Sequence, residues 1–415
     1  MTALDAARHA ATATPGIARM SILVCPHEMV RGGSQLNAVD LAAQLRDRGH
    51  RVRVYAPAGP VVARVRLLGL DYQEAPGRRG IVDVRGTRSL GRAAREFGAD
   101  VVHAYEWPPI MQAAFARLGG AARVLTVLSM DVPPFLPRTP ILLVGTEELR
   151  RGAAQTHRDV RLAEPPVDTD HDQPRDPAAS RASLGVAPDH LLVAVVGRLS
   201  AEHSKAEGVL EAIRVVEAIA DLRPVTLLVA GDGDRGDTVR AAAAAANRRL
   251  GRTVVRILGD VADPRPVYDA ADITFGMGSS ALRALAHGKP IVVQGRDGFW
   301  LTLEPGNASR FFETGFFGEG PSGGPGLTES IRLLADDPAL RAELGRFGRE
   351  LAVERYSLTH VADVVEQAHL DARSRHDDPR RGAAERVQTG YRFAKFWFWM
   401  TLGRRPGVAR LVGRR

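Results

Sequence analysis

The first recognisable element of the chain is a short apolar run, which a helical and then an alternating pattern follow. Residues 21–25 are almost wholly apolar, apolar positions within 38–45 recur at the spacing of one helix face, and residues 51–55 alternate. A continuous apolar strand is typical of a parallel sheet, and Ser34 and Gly49 are suited to cap and to end the helix between the strands. The pattern therefore predicts a βαβ unit with a right-handed crossover.

Strand and helix patterns then alternate up to about residue 370. Further strands are predicted at residues 101–103, 124–128, 141–144, 191–196, 226–230, 254–258 and 291–293. A polar segment at 168–177 separates two halves, and the second half restarts with an apolar strand. We therefore predict an α/β protein with two doubly wound, Rossmann-like domains that face a cleft, and we expect ligands beyond the carboxyl ends of the strands.

These patterns divide the chain into five segments. We expect a disordered extension at 1–19, a first domain at 20–170, a second domain at 171–355, a closing helix at 356–371 and a basic aromatic tail at 372–415. The tail has twelve Lys or Arg and three Asp or Glu, a balance of +9, whereas the whole chain has +8. The body is therefore nearly neutral, and no nucleic-acid partner is expected.

Composition restricts the class of protein further. The 45% of apolar and 25% of charged residues are typical of a globular chain. A single cysteine, Cys25, excludes an internal disulfide framework. No apolar run reaches the roughly 18 residues of a membrane span, and residues 1–19 lack the plan of a signal peptide. We expect a cytoplasmic protein.

Two glycine-containing turns are candidate anion sites. Gly32 and Gly33 lie between the first predicted strand and its helix, and residues 276–280 precede another helix, with Ser279 or Ser280 as the expected N-cap. Free N–H groups and the positive end of the helix dipole favour an anion at such a place. By itself the first turn is weak evidence, because glycine pairs in βα turns are often turn chemistry alone.

Several motifs occur in the order of one known family. Residues 20–57 contain His27, the Gly32-Gly33 turn and the segment LRDRGHRV. The other motifs are DVVHA at 100–104, VDTD at 167–170, GRLSAE at 197–202, VAGDG at 229–233, ALAHGKP at 284–290 and ERYS at 354–357. Over residues 20–370 the chain resembles the retaining glycosyltransferases with the GT-B fold, of the glycosyl transferases group 1 type.

The resemblance implies transfer of a sugar from a nucleotide-diphosphate sugar, bound by the second domain, to an acceptor bound by the first. The expected donor-binding residues are Gly32, Gly33, Arg198, Lys205, Gly276, Met277, Gly278, Ser279 and Ser280. Lys205 is the expected partner of Arg198 on the diphosphate, although His203 and Ser204 widen the family's usual spacing. No cofactor and no metal are expected. The resemblance is compatible with glycosylation of an envelope polysaccharide, of a glycolipid or of a natural product.

The chain departs from the family at three positions. Phe275 and Arg283 stand where the family has two glutamates, and Tyr105 stands where it often has a second histidine facing the reacting sugar. Tyr105 and Glu106 are therefore the candidate catalytic residues, and Arg283 is expected to face solvent or a phosphate. These losses also support an alternative, in which a catalytically degenerate protein is a binding or scaffold partner of another glycosyltransferase.

The tail has its own composition. Six of the nine residues 391–399 are aromatic, with Arg392 and Lys395 among them and Arg404 and Arg405 beyond. Such a mixture suits an anionic membrane surface, which would place the protein at the inner face of the cell membrane and favour a lipid-linked acceptor. The alternatives are packing on the protein's own body or on a second subunit.

Overall fold

Two largely parallel β-sheets with flanking helices organise the chain into two units. The computed structural model describes residues 19–403 except 31, 78–79, 322, 325 and 376–378. The first unit extends to Pro165 and resumes at Leu358, and the second is Pro166–Ser357. The expected disordered extension lies outside the described residues, apart from its last residue, Arg19.

The first unit has a seven-stranded parallel sheet. Its strands are β1 Ser21–Cys25, β2 Arg51–Ala56, β3 Asp71–Glu74, β4 Val101–Tyr105, β5 Ala122–Val127, β6 Ile141–Val144 and β7 Val160–Leu162. They lie in the order β3-β2-β1-β4-β5-β6-β7, and Ile22 of β1 pairs with both Val52 and Val101. The order reverses between β1 and β4, so the carboxyl ends of these two strands form a switch point of the kind that binds ligands.

Helices follow the strands of this unit and pack on both faces of the sheet. They are α1 Gly33–Asp47, α2 Val62–Leu67, α3 Val84–Phe97, α4 Trp107–Phe115 and α5 Glu147–Ala154. Leu41 and Leu45 of α1 contribute to the core on one face, and Leu90 and Ile110 contribute to the core on the other. The periodic spacing of apolar residues in α1 thus matches its buried stripe, as predicted.

The second unit has a six-stranded sheet. Its strands are β8 Leu191–Val196, β9 Val225–Ala230, β10 Val255–Gly259, β11 Ile273–Gly276, β12 Ile291–Gln294 and β13 Trp300–Thr302. The order is β10-β9-β8-β11-β12-β13, and β13 alone is antiparallel to its neighbour. The switch point here lies between β8 and β11.

Helices of the second unit again follow the strands. They are α6 Pro177–Leu184, α7 Lys205–Ile219, α8 Gly236–Leu250, α9 Arg265–Ala270, α10 Ser279–Ala286, α11 Ala308–Thr314, α12 Leu327–Asp336 and α13 Pro338–Tyr356. Two single 3₁₀ turns occur at Glu202–Ser204 and Arg296–Gly298. The first of these turns immediately precedes α7 and therefore lies at the switch point.

The last two helices, α14 Leu358–Ser374 and α15 Pro379–Gly403, belong to the first unit. Val361 and Val365 of α14 enter the core around β1. The carboxylate of Glu366 accepts hydrogen bonds from Arg48 at 2.7 Å and pairs with His50 Nε2 at 2.7 Å. The closing helix is therefore tied to α1 and β2 by charge as well as by apolar contact.

The structure divides the chain a few residues earlier than the polar segment that we expected to separate the domains. Arg349 of α13 donates hydrogen bonds to the carbonyls of Thr169 at 3.0 Å and Asp172 at 3.0 Å. Residues 168–176 therefore pack on the second unit, and the stiff Pro165-Pro166 pair marks the division instead.

The predicted fold class is confirmed, since both units are doubly wound α/β sheets. The strands at 21–25, 141–144 and 191–196 have the predicted bounds, and the other predicted strands differ by one or two residues at one or both ends. β3, β7 and β13 were not predicted because each is a short strand at a sheet edge, where packing, more than sequence pattern, decides pairing. The four-residue strand β11 was not predicted either, although it lies between β8 and β12 inside the sheet.

Candidate functional site

The loops that follow β8, β9 and β11 meet at the switch point of the second unit. Gly197 follows β8, and Gly231 follows β9 with a φ of +151°. A Cβ at Gly231 would lie 1.8 Å from the carbonyl oxygen of Gly197, so this backbone approach requires glycine. The close packing of the two loops fixes the start of the segment that holds Arg198.

Arg198 and Lys205 carry the positive charge of this loop. The Arg198 side chain is exposed and makes no hydrogen bond or ion pair with any residue in the described part of the chain. Lys205 begins α7, and its Nζ lies 3.8 Å from Glu202 Oε2. Burial lowers the pKa of Lys205, attraction by Glu202 opposes the shift, and repulsion by Arg198 adds to it. The positive charges of Arg198 and Lys205 therefore repel each other.

His203 and Ser204, which widen the spacing between the two cations, form a left-handed turn. Their φ values are +54° and +57°. The Ser204 carbonyl accepts a hydrogen bond at 2.6 Å from Gln294, whose side chain fills the space above Gly208. His203 Nδ1 lies 3.0 Å from Arg296 Nη2. The extra residues thus bring a third cation, Arg296, next to the loop.

The glycine turn after β11 is held by a neighbouring loop. Gly278 occupies the N-cap of α10 with φ +54°, so neither Ser279 nor Ser280 is the cap. The Gly278 N–H donates to the carbonyl of Phe316 at 2.9 Å, and a Cβ at Gly278 would lie 2.8 Å from the Phe317 ring. The first N–H groups of α10 have no acceptor within the helix. The turn therefore retains donors for an anion at Ser279 and Ser280.

Phe275 and Arg283, which stand where the family has glutamates, lie in different environments. Phe275 is 2% exposed and packs edge to face on Trp300, with ring centres 5.7 Å apart. Arg283 is half-exposed, and its Nε lies 3.7 Å from Asp172 Oδ2. The Arg283 side chain thus remains accessible to solvent, as expected, and is also attracted by a carboxylate of the same unit, while contact with a phosphate stays a prediction.

A buried charged cluster joins Asp172 to α10, and the sequence analysis missed it. His287 is fully buried, with Nδ1 2.7 Å from Asp269 and Nε2 3.5 Å from Asp172. Burial raises the pKa of the Asp172 carboxyl, but hydrogen bonding to His287 and the charge of Arg283 outweigh it, so the pKa lies below its usual value. In the sequence, His287 is only a histidine directly after a helix, and nothing there indicates that Asp172 packs against it.

In the first unit, Glu106 joins the loops at the switch point. Its Oε1 accepts hydrogen bonds from the Ser34 hydroxyl at 3.2 Å and from the N–H groups of Leu128 at 3.0 Å and Ser129 at 3.1 Å. Its Oε2 accepts one from the Ser129 hydroxyl at 2.8 Å. Glu106 is 7% exposed and has φ +64° and ψ 172°. The carboxylate therefore positions the surrounding loops and has little exposed surface to offer a substrate.

Tyr105 and its neighbour His103 lie in the core. Tyr105 is 1% exposed, and its ring lies 4.4 Å from that of His103. Burial raises the pKa of the Tyr105 hydroxyl, so it stays protonated. His103 pairs with Thr126 at 2.7 Å and with His369 at 2.9 Å. In this conformation Tyr105 has no surface with which to contact a reacting sugar, so the structure does not support it as a catalytic residue.

The Gly32-Gly33 turn is the start of α1, with Gly32 and not Ser34 at the N-cap. A Cβ at Gly32 would lie 2.3 Å from Gln35 Oε1, because Gln35 folds back to donate to Glu28 at 2.9 Å. Space above Gly33 is open. Glycine at position 32 is therefore explained by the position of the Gln35 side chain, whereas at Gly33 the backbone is open to a ligand.

Both halves of the chain match domains of one enzyme class. Residues 31–171 match Glycosyltransferase Family 4, and residues 190–320 match Glycosyl transferases group 1. Together the two matches cover more than half of the chain. The chain belongs to the group 1 glycosyltransferases. Within the described residues, no cluster of three or more His, Cys, Asp or Glu could hold a metal ion.

Relatives of this glycosyltransferase span most of its length. It is 25% identical over 383 residues to the D-inositol 3-phosphate glycosyltransferase of Kribbella flavida, covering 77% of this chain and 86% of that one. A glycosyltransferase structure from Rickettsia africae has a TM-score of 0.67 at 13% identity and covers 87% of this chain and 100% of that one. The Anabaena protein Alr3699/HepE in complex with UDP has a TM-score of 0.66 at 18% identity, over 85% and 100%. These likenesses show the GT-B fold.

The last helix of the glycosyltransferase is partly packed and partly exposed. Phe393 and Phe396 pack on Phe135 with ring centres 5.3 and 4.9 Å apart, so the expectation of packing on the protein's own body holds for these two. The other aromatic side chains of the tail, Tyr391, Trp397, Phe398 and Trp399, are 52–68% exposed. In the part of the chain that the structure describes, no helix is long and apolar enough to cross a membrane. Arg404 and Arg405 lie outside that part.

Proposed function

We propose that the protein transfers a sugar from a nucleotide-diphosphate sugar to an acceptor hydroxyl, with retention at the anomeric carbon. The observation that carries this proposal is that Arg198, Lys205 and the N–H donors of the turn at 276–280 all lie at one edge of the second sheet. Arg198 has no side-chain partner among the described residues, and Lys205 has Glu202 nearby. Cations and N–H groups together suit a diphosphate. The Anabaena structure in complex with UDP-glucose supports a donor of this class.

The chemistry needs charge stabilisation where the leaving group forms. The bond from the sugar's anomeric carbon to the diphosphate breaks, and its electron pair stays on the diphosphate oxygen. The acceptor oxygen forms the new bond, and its proton passes to the departing diphosphate. Arg198 and Lys205 oppose the negative charge that develops, which lowers the barrier more than equal binding of the substrate would.

The first unit supplies the acceptor side in this proposal. Glu106 is a positioning residue, since its four hydrogen bonds hold the first turn of α1 against residues 128–129. Gly33 offers an open backbone at that turn. The Gly33 turn and the end of β4 would then border the acceptor.

A panel of UDP-, GDP- and TDP-sugars tests the proposal directly. Release of nucleoside diphosphate with at least one donor, and a product with the donor's anomeric configuration by proton NMR, are the expected results. Nucleotide binding without any turnover, together with co-purification of an active glycosyltransferase, would favour the degenerate scaffold that the Phe275 and Arg283 positions suggest. The absence of both nucleotide binding and turnover would defeat both interpretations.

We further propose that the tail attaches the enzyme to an anionic membrane surface, where the acceptor is lipid-linked. Trp397 and Trp399 are 58% and 52% exposed, and the +9 balance of residues 372–415 complements anionic headgroups. Each basic residue near such a surface contributes about 1 kcal/mol. Co-sedimentation of the full chain with phosphatidylglycerol vesicles should be lost in Trp397→Ser/Trp399→Ser and kept in the control Leu222→Ser. Equal binding by all three would refute membrane attachment through this helix.

A further inference from the structure

A cavity of about 300 Å³ lies in the first unit, away from the switch point. Its floor is formed where β5 and β6 begin, and the first turns of α15 cover it. Ligands of α/β sheets bind at the carboxyl ends of strands, so this cavity at the amino ends is not part of the candidate site. Its volume is at the lower end of the range for small-molecule sites.

Positive charge dominates the wall of this cavity. Its ionisable side chains are Arg123, Arg158, Arg375, Arg386 and Glu385. Arg375 is paired with Asp159, and Arg123 donates to backbone carbonyls. Arg158 and Arg386 make no hydrogen bond or ion pair with their side chains within the described residues. The wall thus presents two guanidinium groups that have no counter-charge among the residues that the structure describes.

Glu385, the carboxylate among these wall residues, already accepts hydrogen bonds from neighbouring residues. Glu385 Oε1 accepts hydrogen bonds from Arg392 Nη2 at 2.8 Å, from the Arg138 N–H at 2.8 Å and from the Thr389 hydroxyl at 3.2 Å. Behind the wall, Nε of Arg138 and Nε of Arg392 are buried without an acceptor among the described residues. Glu385 pairs with the Arg392 guanidinium, and nearby Asp159 pairs with Arg161 and Arg375, so among the described residues no carboxylate pairs with Arg158 or Arg386.

We propose that this cavity binds a phosphate-bearing ligand, and that the bound ligand fixes helix α15 on the first unit. Guanidinium groups bind phosphate oxygens in pairs, and Arg158 and Arg386 come from two different elements, one before β7 and one on α15. A phosphate held by both would therefore crosslink the helix to the sheet. The phosphate can belong to a free phosphate ester or to a lipid headgroup, and the two sources are distinguished below.

Hydrogen–deuterium exchange of the full chain locates the binding, because phosphate at Arg198 and Lys205 would protect different peptides. Exchange is compared in sodium phosphate and in sodium chloride of equal ionic strength. The variants are Arg158→Gln/Arg386→Gln and, as a matched control on another exposed helix of the first unit, Arg66→Gln. A second arm replaces phosphate with vesicles of phosphatidylglycerol or of phosphatidylcholine.

We expect phosphate to slow exchange in peptides covering 136–141 and 382–392 of the wild type and of Arg66→Gln. The double variant should need at least about tenfold more phosphate for the same protection, as expected when charge-assisted hydrogen bonds are removed. Protection of these peptides by inorganic phosphate assigns the site to a free phosphate ester. Protection by phosphatidylglycerol vesicles alone assigns it to a headgroup. Vesicle contact through the exposed aromatics would instead protect peptides around 397–403.

Two results would overturn the proposal. One is equal exchange at 136–141 and 382–392 in phosphate, phosphatidylglycerol and chloride. The other is unchanged protection in Arg158→Gln/Arg386→Gln. Because both side chains are exposed and have no partner in the described part of the chain, the double variant should fold, and unchanged exchange in peptides of the second unit would show this.

Discussion

Glu106 offers a sharp test of how the switch point of the first unit is held together. Its φ of +64° and ψ of 172° lie in a region that glycine adopts freely and other residues adopt only under strain. Its carboxylate in turn accepts four hydrogen bonds. At Glu106, backbone strain thus lowers the stability of the fold and the hydrogen bonds of the carboxylate raise it. Three substitutions separate the two contributions.

The expected order of stability follows from these contacts. Glu106→Gln keeps an acceptor oxygen and the side-chain shape, so it should lose about 1 kcal/mol, the difference between a charged and a neutral acceptor. Glu106→Ala leaves the N–H groups of Leu128 and Ser129 without their acceptor and should cost about 2–4 kcal/mol. Glu106→Gly loses the same hydrogen bonds but relieves about 1–3 kcal/mol of backbone strain, so it should be more stable than the alanine variant.

Urea unfolding followed by tryptophan fluorescence measures these differences as midpoint shifts at constant slope. Trp107 directly follows Glu106 and reports on the first unit. An alanine variant at least as stable as the glycine variant would refute the strain argument. A glutamine variant as unstable as the alanine variant would show that charge, and not acceptor geometry, holds the loops.

Three further predictions concern the stability of the two units. Burial lowers the pKa of His369 to about 3 and that of His103 well below its usual value, so the folded chain binds fewer protons than the unfolded chain below about pH 6.5. The free energy of unfolding should therefore fall as pH drops from about 6.5 towards 3, by up to about 1.4 kcal/mol per pH unit for each histidine, and His369→Gln should lessen that slope in urea titrations. Gly231→Ala should lower the melting temperature by several degrees, since its Cβ would meet the Gly197 carbonyl at 1.8 Å, and differential scanning calorimetry measures this. Arg283→Glu should destabilise the second unit, because it places a carboxylate beside the Asp172 side chain, and an unchanged urea midpoint would contradict this.

The sequence predicted the elements that a short local pattern determines, such as an apolar run or a glycine turn. The role of Arg198, which lies two residues beyond β8, came from the resemblance to the family, whereas the central strands β1 and β8 could be predicted because they are continuous apolar runs. The Gly276–Gly278 turn was found in the same way, although its N-cap was assigned one or two residues too late.

What sequence reasoning missed depends on contacts between distant residues. Tyr105 resembles a catalytic position by its place in a motif, but the β4 register and α14 bury it against His103 and the core. Asp172 lies in a segment whose sequence is typical of a linker, and contacts with Arg349, His287 and Arg283 bring it into the second unit. The cavity under α15 likewise required the last helix to return to the first sheet.

The central claim is that Arg198 and Lys205 hold the diphosphate of the donor. Calorimetric titration of a nucleoside diphosphate and of its parent nucleoside tests it, with Arg198→Gln/Lys205→Gln compared with Arg346→Gln, an exposed control on α13 of the same unit. We expect the double variant to bind the diphosphate at least about tenfold more weakly, with binding of the nucleoside unchanged. Equal diphosphate affinity in the double variant and the control would contradict the account.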